Sequence, residues 1–173
     1  MSIHEPPVGT DIPSWSLILR LQLDVGYERA WHTADGSPDG VHSAYPFDGG
    51  EFAGPHLRGT VEPVGQDWPR WRTDGAMLID ARAMLRTDDD ALISLAYTGL
   101  AVPPAGGAEA AKHFDRGAGS IGATPYARTH VRFATGDERY RWLNDVVAIG
   151  KGMRTPRGPL YSIYGMDLPP ERQ

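Results

Sequence analysis

Single apolar residues alternate with residues of mixed character along much of the chain. The clearest case is residues 15–23, where five large apolar side chains recur at every second position: Trp15, Leu17, Leu19, Leu21 and Leu23. A period of two predicts a β-strand with one apolar face. Further strand-like runs cover residues 27–33, 41–47, 51–61, 76–86, 91–100, 126–134 and 160–164. Residues 140–149 fit either a strand or a short helix that gives way to a strand.

Short turn motifs separate these runs. Asp74-Gly75 is a strong hairpin pair, three aspartates at 88–90 form another turn, and Pro46 indicates an edge strand or a bulge at 41–47. Hairpin-sized connections predict a mostly antiparallel sheet. We therefore expect an all-β fold: a closed or nearly closed antiparallel barrel of about 8–10 strands, lipocalin-like in outline, with minimal helix. A β-sandwich is the alternative. About eight strands leave room for one small ligand.

The length of 173 residues fits one domain. We place the barrel at residues 14–167, with a flexible arm at 1–13 and a tail at 168–173. Residues 101–125 form a long loop rich in Gly, Ala and Pro. Loops of this length in a compact domain are usually functional or mobile.

Composition narrows the partners and the compartment. The 21 glycines and 15 prolines favour many turns and hence many short strands. The net charge is −5 and Lys and Arg form no run, so we expect no nucleic-acid partner. Cysteine is absent, which excludes disulfides and thiolate sites. The first residues do not resemble a signal peptide, and no apolar run approaches the ~20 residues of a membrane span. We expect a cytoplasmic protein that does not contact a membrane.

Asp80 and Arg82 are the first candidates for chemistry. They lie two apart, so they share one face of a strand with the apolar Leu78 and Met84. If that face is interior, the carboxylate can orient the guanidinium, and the guanidinium can hold a carboxylate or enolate oxygen. A structural ion pair that braces the barrel is an equally good interpretation.

Asp67 and Trp68 lie at a turn and form the second candidate. Asp67 can be a general base at the mouth of the cavity, with Trp68 raising its pKa by desolvation. The competing interpretation, which we favour from sequence, is an Asx turn in which the carboxylate caps backbone N–H groups.

Four further residues are candidates for binding or polarising a ligand. Trp142 and Asn144 share a strand face with Tyr140, so Trp142 can stack on a planar ligand and Asn144 can polarise a carbonyl. Tyr97 has a hydroxyl that needs a partner if it is buried. His56 lies beside Gly54-Pro55 and is the best acid–base candidate among the histidines. For each of the four, packing or a surface position is the more ordinary interpretation.

No motif indicates a metal ion or a cofactor. The six histidines lack the i, i+2 or i, i+4 spacing of a metal pair with a third ligand nearby. The chain has no G-x-S-x-G elbow and no P-loop. The glycine-rich residues 116–122 follow no clear strand and open no helix, so we reject a dinucleotide site.

Several motifs resemble a known family. Residues 49–61 read GGEFAGPHLRGTV, a pattern typical of a bacterial and fungal family known only as domain of unknown function 3237. Its later motifs follow in order at 67–68, 74–75, 80–82, 87–89, 133–136 and 140–144. The resemblance covers about residues 14–165 and implies a small cytoplasmic antiparallel β-barrel. It supplies no catalytic set. Gln66, Asp90 and the long 101–125 loop depart from the family pattern.

The recurring motif positions include most of the candidates already named: Asp67, Trp68, Asp80, Arg82, Trp142 and Asn144. Our hypothesis is a cofactor-independent enzyme that abstracts a proton from a small carbonyl compound, aromatic or polyketide-like, for isomerisation, cyclisation or elimination. Asp67 or Asp80 is the base, and Arg82 and Asn144 hold the enolate. Trp68, Tyr97, Trp142 and His56 contact the substrate.

Two alternatives remain open from the sequence. One is a lipocalin-like binding protein without catalysis, which a hydrophobic cavity poor in acids would favour. The other is a structural or regulatory homodimer module, in which an edge strand at 41–47 pairs between subunits.

Overall fold

The computed structural model describes residues 12–34, 36–102 and 126–172. Ten β-strands dominate them: β1 (Trp15–Val25), β2 (Trp31–His32), β3 (Val41–Ala53), β4 (Arg58–Asp67), β5 (Arg70–Trp71), β6 (Met77–Thr87), β7 (Leu92–Val102), β8 (Tyr126–Ala134), β9 (Ala148–Arg154) and β10 (Pro159–Met166). Three short 3₁₀ helices cover Tyr27–Arg29, Arg141–Asp145 and Pro170–Arg172. Most of the expected arm and of the 101–125 loop lie outside the described residues.

Eight of the strands close into an antiparallel barrel. Their order is β1-β10-β9-β8-β7-β6-β4-β3, and β3 pairs with β1 to complete the circle. The two-residue strands β2 and β5 pair outside this path, β2 with β3 and β5 with β3 and β6. The predicted all-β barrel is therefore confirmed, and the sandwich alternative is wrong. No helix in the described part of the chain is long and apolar enough to cross a bilayer.

Side chains of alternate strand positions fill the interior. On β6, for example, Ile79, Ala81 and Leu85 are buried while Arg82 between them is exposed. In β1 the alternation is interrupted, because the pairing with β10 shifts register between Leu17 and Leu19. Ile18 and Leu19 are consequently both buried, although strict alternation places them on opposite faces.

The strand prediction fails where the chain bends. β3 runs through Pro46 to Ala53, because its register with β4 shifts between Pro46 and Glu51. It is paired on both sides, so the edge-strand interpretation of 41–47 is wrong, whereas the alternative of a bulge at Pro46 agrees with the register shift that begins there. Gly54 lies in the turn between β3 and β4, where its N–H donates to the Leu57 carbonyl at 2.8 Å. A Cβ on Gly54 would stand 1.9 Å from the Ile18 carbonyl oxygen, so this close approach requires glycine.

The two ends of the barrel differ. At one end the turns between β3 and β4 and between β6 and β7 lie near the 3₁₀ helix Arg141–Asp145, and Leu143 of that helix is fully buried. At the other end β1, β4, β7 and β9 finish while β6, β8 and β10 begin. We call these the closed end and the cavity end.

Candidate functional site

A cavity of about 80 Å³ opens at the cavity end of the barrel. One buried water needs about 10–15 Å³, so this space accepts several waters or one small organic group. The wall is largely apolar and aromatic, with Tyr45, Phe47, Trp71 and Ile79 among its members. Asp67 is the single carboxylate and Arg154 the single cation among the described residues of the wall.

A row of small residues explains why the space exists. Strand pairing sets Tyr161 opposite Gly152, Gly152 opposite Ala127, Ala127 opposite Ala101, and Ala101 opposite Met77. All five line the cavity. Three consecutive strands thus contribute only a hydrogen or a methyl group to the interior at this level. Because no larger side chain reaches the centre at this level, the barrel stays hollow there.

A second row brings Asp67 towards Tyr97. Asp67 pairs with Tyr45 on one side and with Ala81 on the other, and Ala81 pairs with Tyr97. Two strand spacings separate the Cα atoms of Asp67 and Tyr97, about 10 Å. Ala81 between them carries only a methyl group, so the space between the carboxyl and the phenol is not filled from the strand that separates them.

The environment of Asp67 suits proton transfer near neutral pH. The pKa of Asp67 is raised from 3.8 to about 7, mainly by burial, and the Asp80 carboxylate contributes in the same direction. Hydrogen bonds from the backbone N–H groups of Asp80 and Trp68 lower the pKa of Asp67. The Asp80 nitrogen lies 3.3 Å from Oδ1 of Asp67. The carboxyl group is desolvated although part of the residue remains exposed. Such a group can both accept and return a proton at pH 7.

Two buried tyrosines lie behind Asp67. The rings of Tyr97 and Tyr161 are 5.2 Å apart between centroids and inclined by 56°. Burial raises the pKa of both phenols, and the nearby Asp67 carboxylate adds to the effect on each. The Tyr97 hydroxyl makes no hydrogen bond of normal geometry in the described residues, although Tyr161 is close enough to influence its titration. Both phenols therefore remain protonated at neutral pH and keep an O–H group that can donate.

Aromatic residues also surround the mouth. The Tyr27 and Tyr45 rings meet edge to face at 5.9 Å, and His32 meets Tyr45 in the same way at 5.5 Å. The Arg154 guanidinium lies 5.6 Å from the Tyr27 ring centroid. Burial raises the pKa of Tyr27, whereas Arg154 lowers it. The cation thus lies at the rim, with the carboxylate further along the wall.

The prediction for Asp80 and Arg82 assumed that they face the interior of the barrel, and this assumption is wrong. The interior face of β6 carries Ile79 and Ala81, so Asp80 and Arg82 point to the outside. Their side chains are 50% and 71% exposed, and they form an ion pair at 3.9 Å. A one-residue difference in register moves every side chain to the other face. Neither residue reaches the cavity, and Asp80 acts on it only through Asp67.

Asn144 and Trp142 belong to the closed end because residues 141–145 form a 3₁₀ helix and no strand. The exposed Asn144 amide accepts from the Thr135 N–H at 2.9 Å and donates to the Thr135 carbonyl at 3.0 Å. It fixes a turn and cannot polarise a ligand in the cavity. Trp142 packs edge to face against His56, with ring centroids 6.3 Å apart, so His56 is also remote from the cavity.

Of the candidate residues, the structure places only Asp67 in the cavity wall. Tyr97 packs against Tyr161, which belongs to the wall. Trp68 follows Asp67 but is 51% exposed, so it does not desolvate the carboxyl as expected. Sequence reasoning missed Tyr161 and Arg154. The alternation of Tyr161 with Ile163 was the available sign that Tyr161 faces inward. The described residues hold no group of three His, Asp or Glu side chains able to bind a metal ion.

Comparisons with known proteins agree with the barrel. A family profile described as Protein of unknown function (DUF3237) matches residues 13–166. A UPF0311 protein from Rhodopseudomonas palustris is 30% identical over 115 residues, which cover 66% of this chain and 73% of that relative. A crystal structure described as a beta-barrel like protein from Acinetobacter baumannii superposes with a TM-score of 0.77 at 29% identity, over 95% of this chain and 99% of the other.

A more distant likeness involves a fungal protein. A crystal structure described as an enzyme from Penicillium herquei superposes with a TM-score of 0.65, covering 91% of this chain and 97% of the other. The sequence identity is 23%, so this likeness concerns the fold alone.

The family resemblance read from the motifs is confirmed by the profile match.

Proposed function

The chain belongs to the family described as Protein of unknown function (DUF3237), and we propose that it is an acid–base enzyme acting on a small carbonyl compound held in the barrel. The reaction is proton abstraction leading to isomerisation, cyclisation or elimination, on an aromatic or polyketide-like metabolite. The chain's own side chains suffice for such a proton transfer, so the proposed reaction needs no cofactor.

The observation that carries this proposal is the isolation of Asp67. It is the one acid among the described residues of a wall that is otherwise apolar and aromatic apart from Arg154. Its pKa of about 7 lets it exchange protons at neutral pH. General acid–base catalysis is most effective when the pKa of the catalytic group lies near the working pH. A carboxyl that served only as a turn cap would gain nothing from this desolvation.

In the proposed first step, the Asp67 carboxylate accepts a proton from a carbon next to the carbonyl. The C–H electron pair becomes the C=C bond of an enolate, and the carbonyl π pair moves to oxygen. Protonated Asp67 can then return the proton at another carbon, which isomerises the substrate. Expulsion of a leaving group or attack on an internal electrophile gives elimination or cyclisation instead.

Hydrogen–deuterium exchange can test the role of Asp67 without knowledge of the natural substrate. The full chain is incubated in D₂O with small aryl ketones, 2-tetralone among them, and deuterium at the α-carbon is followed by NMR. Asp67→Asn should lower the enzyme-catalysed rate by about 10²–10⁴-fold. In the native protein the rate should rise with pH through about 7, because only the ionised carboxylate accepts a proton.

Asp88→Asn is the matched control, since it removes an exposed carboxylate from the turn after β6. It should leave the exchange rate unchanged. Equal rates for the native protein and Asp67→Asn would overturn the proposal.

A binding protein without catalysis is the second candidate function. The mainly apolar wall favours it, because such walls hold small ligands without chemistry. The same experiment separates the two: ketones that bind without any exchange above the buffer rate would favour the carrier.

A further inference from the structure

We infer that the Tyr161 hydroxyl, supported by Tyr97, forms the oxygen-binding subsite of the cavity, and that the ligands are small planar compounds with an enolisable carbonyl or a phenolic oxygen. This rests on the proposed function, because it places the ligand oxygen relative to Asp67. It replaces the role that Arg82 and Asn144 cannot fill from their positions outside the cavity.

Unpartnered hydroxyls are the first observation behind this subsite. Tyr97 is 3% exposed, and its hydroxyl lacks a hydrogen-bond partner of normal geometry among the described residues. The Thr129 hydroxyl, also 3% exposed, lacks one as well. Nearly all buried polar groups in proteins are hydrogen-bonded, so such exceptions need an explanation. A ligand oxygen that accepts from the Tyr161 hydroxyl leaves the Tyr161 oxygen as the acceptor for Tyr97, which does not itself line the cavity.

The position of the tyrosines is the second observation. Tyr161 lines the cavity together with Asp67, and Tyr97 packs against the Tyr161 ring from the row that contains Asp67. Only Ala81 lies between Asp67 and Tyr97 in that row. A ligand in the cavity therefore meets both the Asp67 carboxyl and the Tyr161 phenol, with Tyr97 packed against Tyr161. Proton abstraction from carbon needs this arrangement, since charge leaves the base and develops on oxygen.

Gly152 leaves the space that the Tyr161 ring occupies. A Cβ at position 152 would stand 2.7 Å from Cε1 of Tyr161, whereas a Cβ at position 150 would stand 3.4 Å from Cδ1, an ordinary contact distance. The ring therefore packs directly against strand β9 at Gly152. A donor packed in this way does not have to reorient when charge appears on the ligand.

The charges facing the subsite define the ligand further. Ionised Asp67 disfavours a ligand that enters as an anion, while Arg154 lies at the rim and the Asp80 carboxylate lies outside the barrel. A neutral ketone can enter and give an α-proton to Asp67, which leaves an enolate whose oxygen a phenolate resembles. The cavity then holds one negative charge before and after the transfer, first on Asp67 and then on the ligand oxygen. Tyr45, Phe47 and Trp71 supply flat aromatic surfaces for a planar ring.

Binding of 4-nitrophenol tests this inference, because its phenolate is yellow and its phenol is not. The native full-length protein should bind it with the oxygen at Tyr161. Tyr161→Phe should weaken binding at least about tenfold, since it removes a hydrogen bond to a charged oxygen. Tyr97→Phe should weaken it by a smaller factor. Asp67→Asn should bind the phenolate more tightly, because a negative charge has been removed.

Tyr164→Phe is the control, the same substitution on the same strand at a position outside the cavity. It should change the dissociation constant by less than about twofold, within the range expected without a lost hydrogen bond. Unaltered binding by Tyr161→Phe and Tyr97→Phe, or no binding by the native protein, would overturn the subsite. Circular dichroism confirms folding, and Tyr97→Phe serves if Tyr161→Phe does not fold.

The subsite and the proposed base can fail separately. If Asp67→Asn exchanges deuterium like the native protein while Tyr161→Phe loses 4-nitrophenol, the base is wrong and the oxygen site stands. If Asp67→Asn loses exchange while Tyr161→Phe binds normally, the base stands and the oxygen site is wrong.

Discussion

Replacing Asp67 by asparagine should stabilise the fold, increasingly so as the pH rises. The folded protein holds the Asp67 proton up to a pKa of about 7, whereas the unfolded chain releases it near 3.8. Between these values the folded state binds more protons than the unfolded state, so stability falls as the pH rises. Asparagine keeps the shape and the acceptor for the Asp80 N–H but never acquires the charge.

The size of the effect follows from the shift. About three pKa units at 1.36 kcal/mol each give a cost of about 4 kcal/mol above pH 7. Part of this cost is already present at pH 5, because at that pH the Asp67 carboxyl is ionised in the unfolded chain but still protonated in the folded protein. The advantage of Asp67→Asn over the native protein should therefore grow by about 2–3 kcal/mol between pH 5 and pH 8.

Urea unfolding at the two pH values measures this difference, with the fluorescence of the five tryptophans as the signal. Asp88→Asn, which removes an exposed carboxylate, provides the control for the loss of one negative charge. If the advantage of Asp67→Asn grew by less than about 0.5 kcal/mol between pH 5 and pH 8, Asp67 would not be desolvated as the geometry indicates. The proposal for a base of neutral pKa would then lose its support.

Two further substitutions test the cavity and the closed end. Gly152→Ala should displace the Tyr161 ring, lower 4-nitrophenol affinity about tenfold and cost about 1–3 kcal/mol of stability by overpacking. Gly136→Ala is the control, because a Cβ at that position meets nothing within 4 Å. Equal affinity of the two variants for 4-nitrophenol would contradict the placement of the ring. Asn144→Ala should cost about 1–2 kcal/mol in urea unfolding, because both hydrogen bonds to Thr135 are lost. It should leave α-carbon exchange unchanged, and a loss of exchange in a folded variant would show that the closed end contributes to the chemistry.

The positions of most strands were predictable, because a strand shows itself in the local alternation of apolar and polar residues. The runs at 15–23, 76–86, 91–100 and 126–134 all fall within observed strands or extend them by one residue. Closure of the sheet into a barrel was predictable too, since hairpin-sized connections and little helix are compatible with few other folds. The bulges were predictable only in part. Pro46 indicated an edge or a bulge in β3, and the register does shift between residues 46 and 51. The shift between residues 17 and 19 of β1 arises from pairing with the distant strand β10, which local sequence does not encode.

The site was predictable only where its residues did not depend on register. Asp67 was identified as a turn-adjacent acid at the mouth, and it lies in the cavity wall. Asp80 and Arg82 were assigned from the assumed inner face of β6, and that face is the outer one. Asn144 was assigned from a strand that is a 3₁₀ helix. The small residues Ala101, Ala127 and Gly152 gave no individual sign that together they leave a cavity.

The two ends of the barrel show why residue type alone could not separate a structural from a chemical aspartate. Asp137 lies in an exposed turn at the closed end, where hydrogen bonds from Arg139 lower its pKa to about 2. For Asp67 burial is instead the largest influence, and it moves the pKa to about 7. The first arrangement holds a charge in place, whereas the second leaves the carboxyl ready to exchange a proton. A barrel that had only to be stable would favour the first arrangement at both ends. The presence of the second beside protonated tyrosines is therefore the strongest physical argument that the cavity performs chemistry.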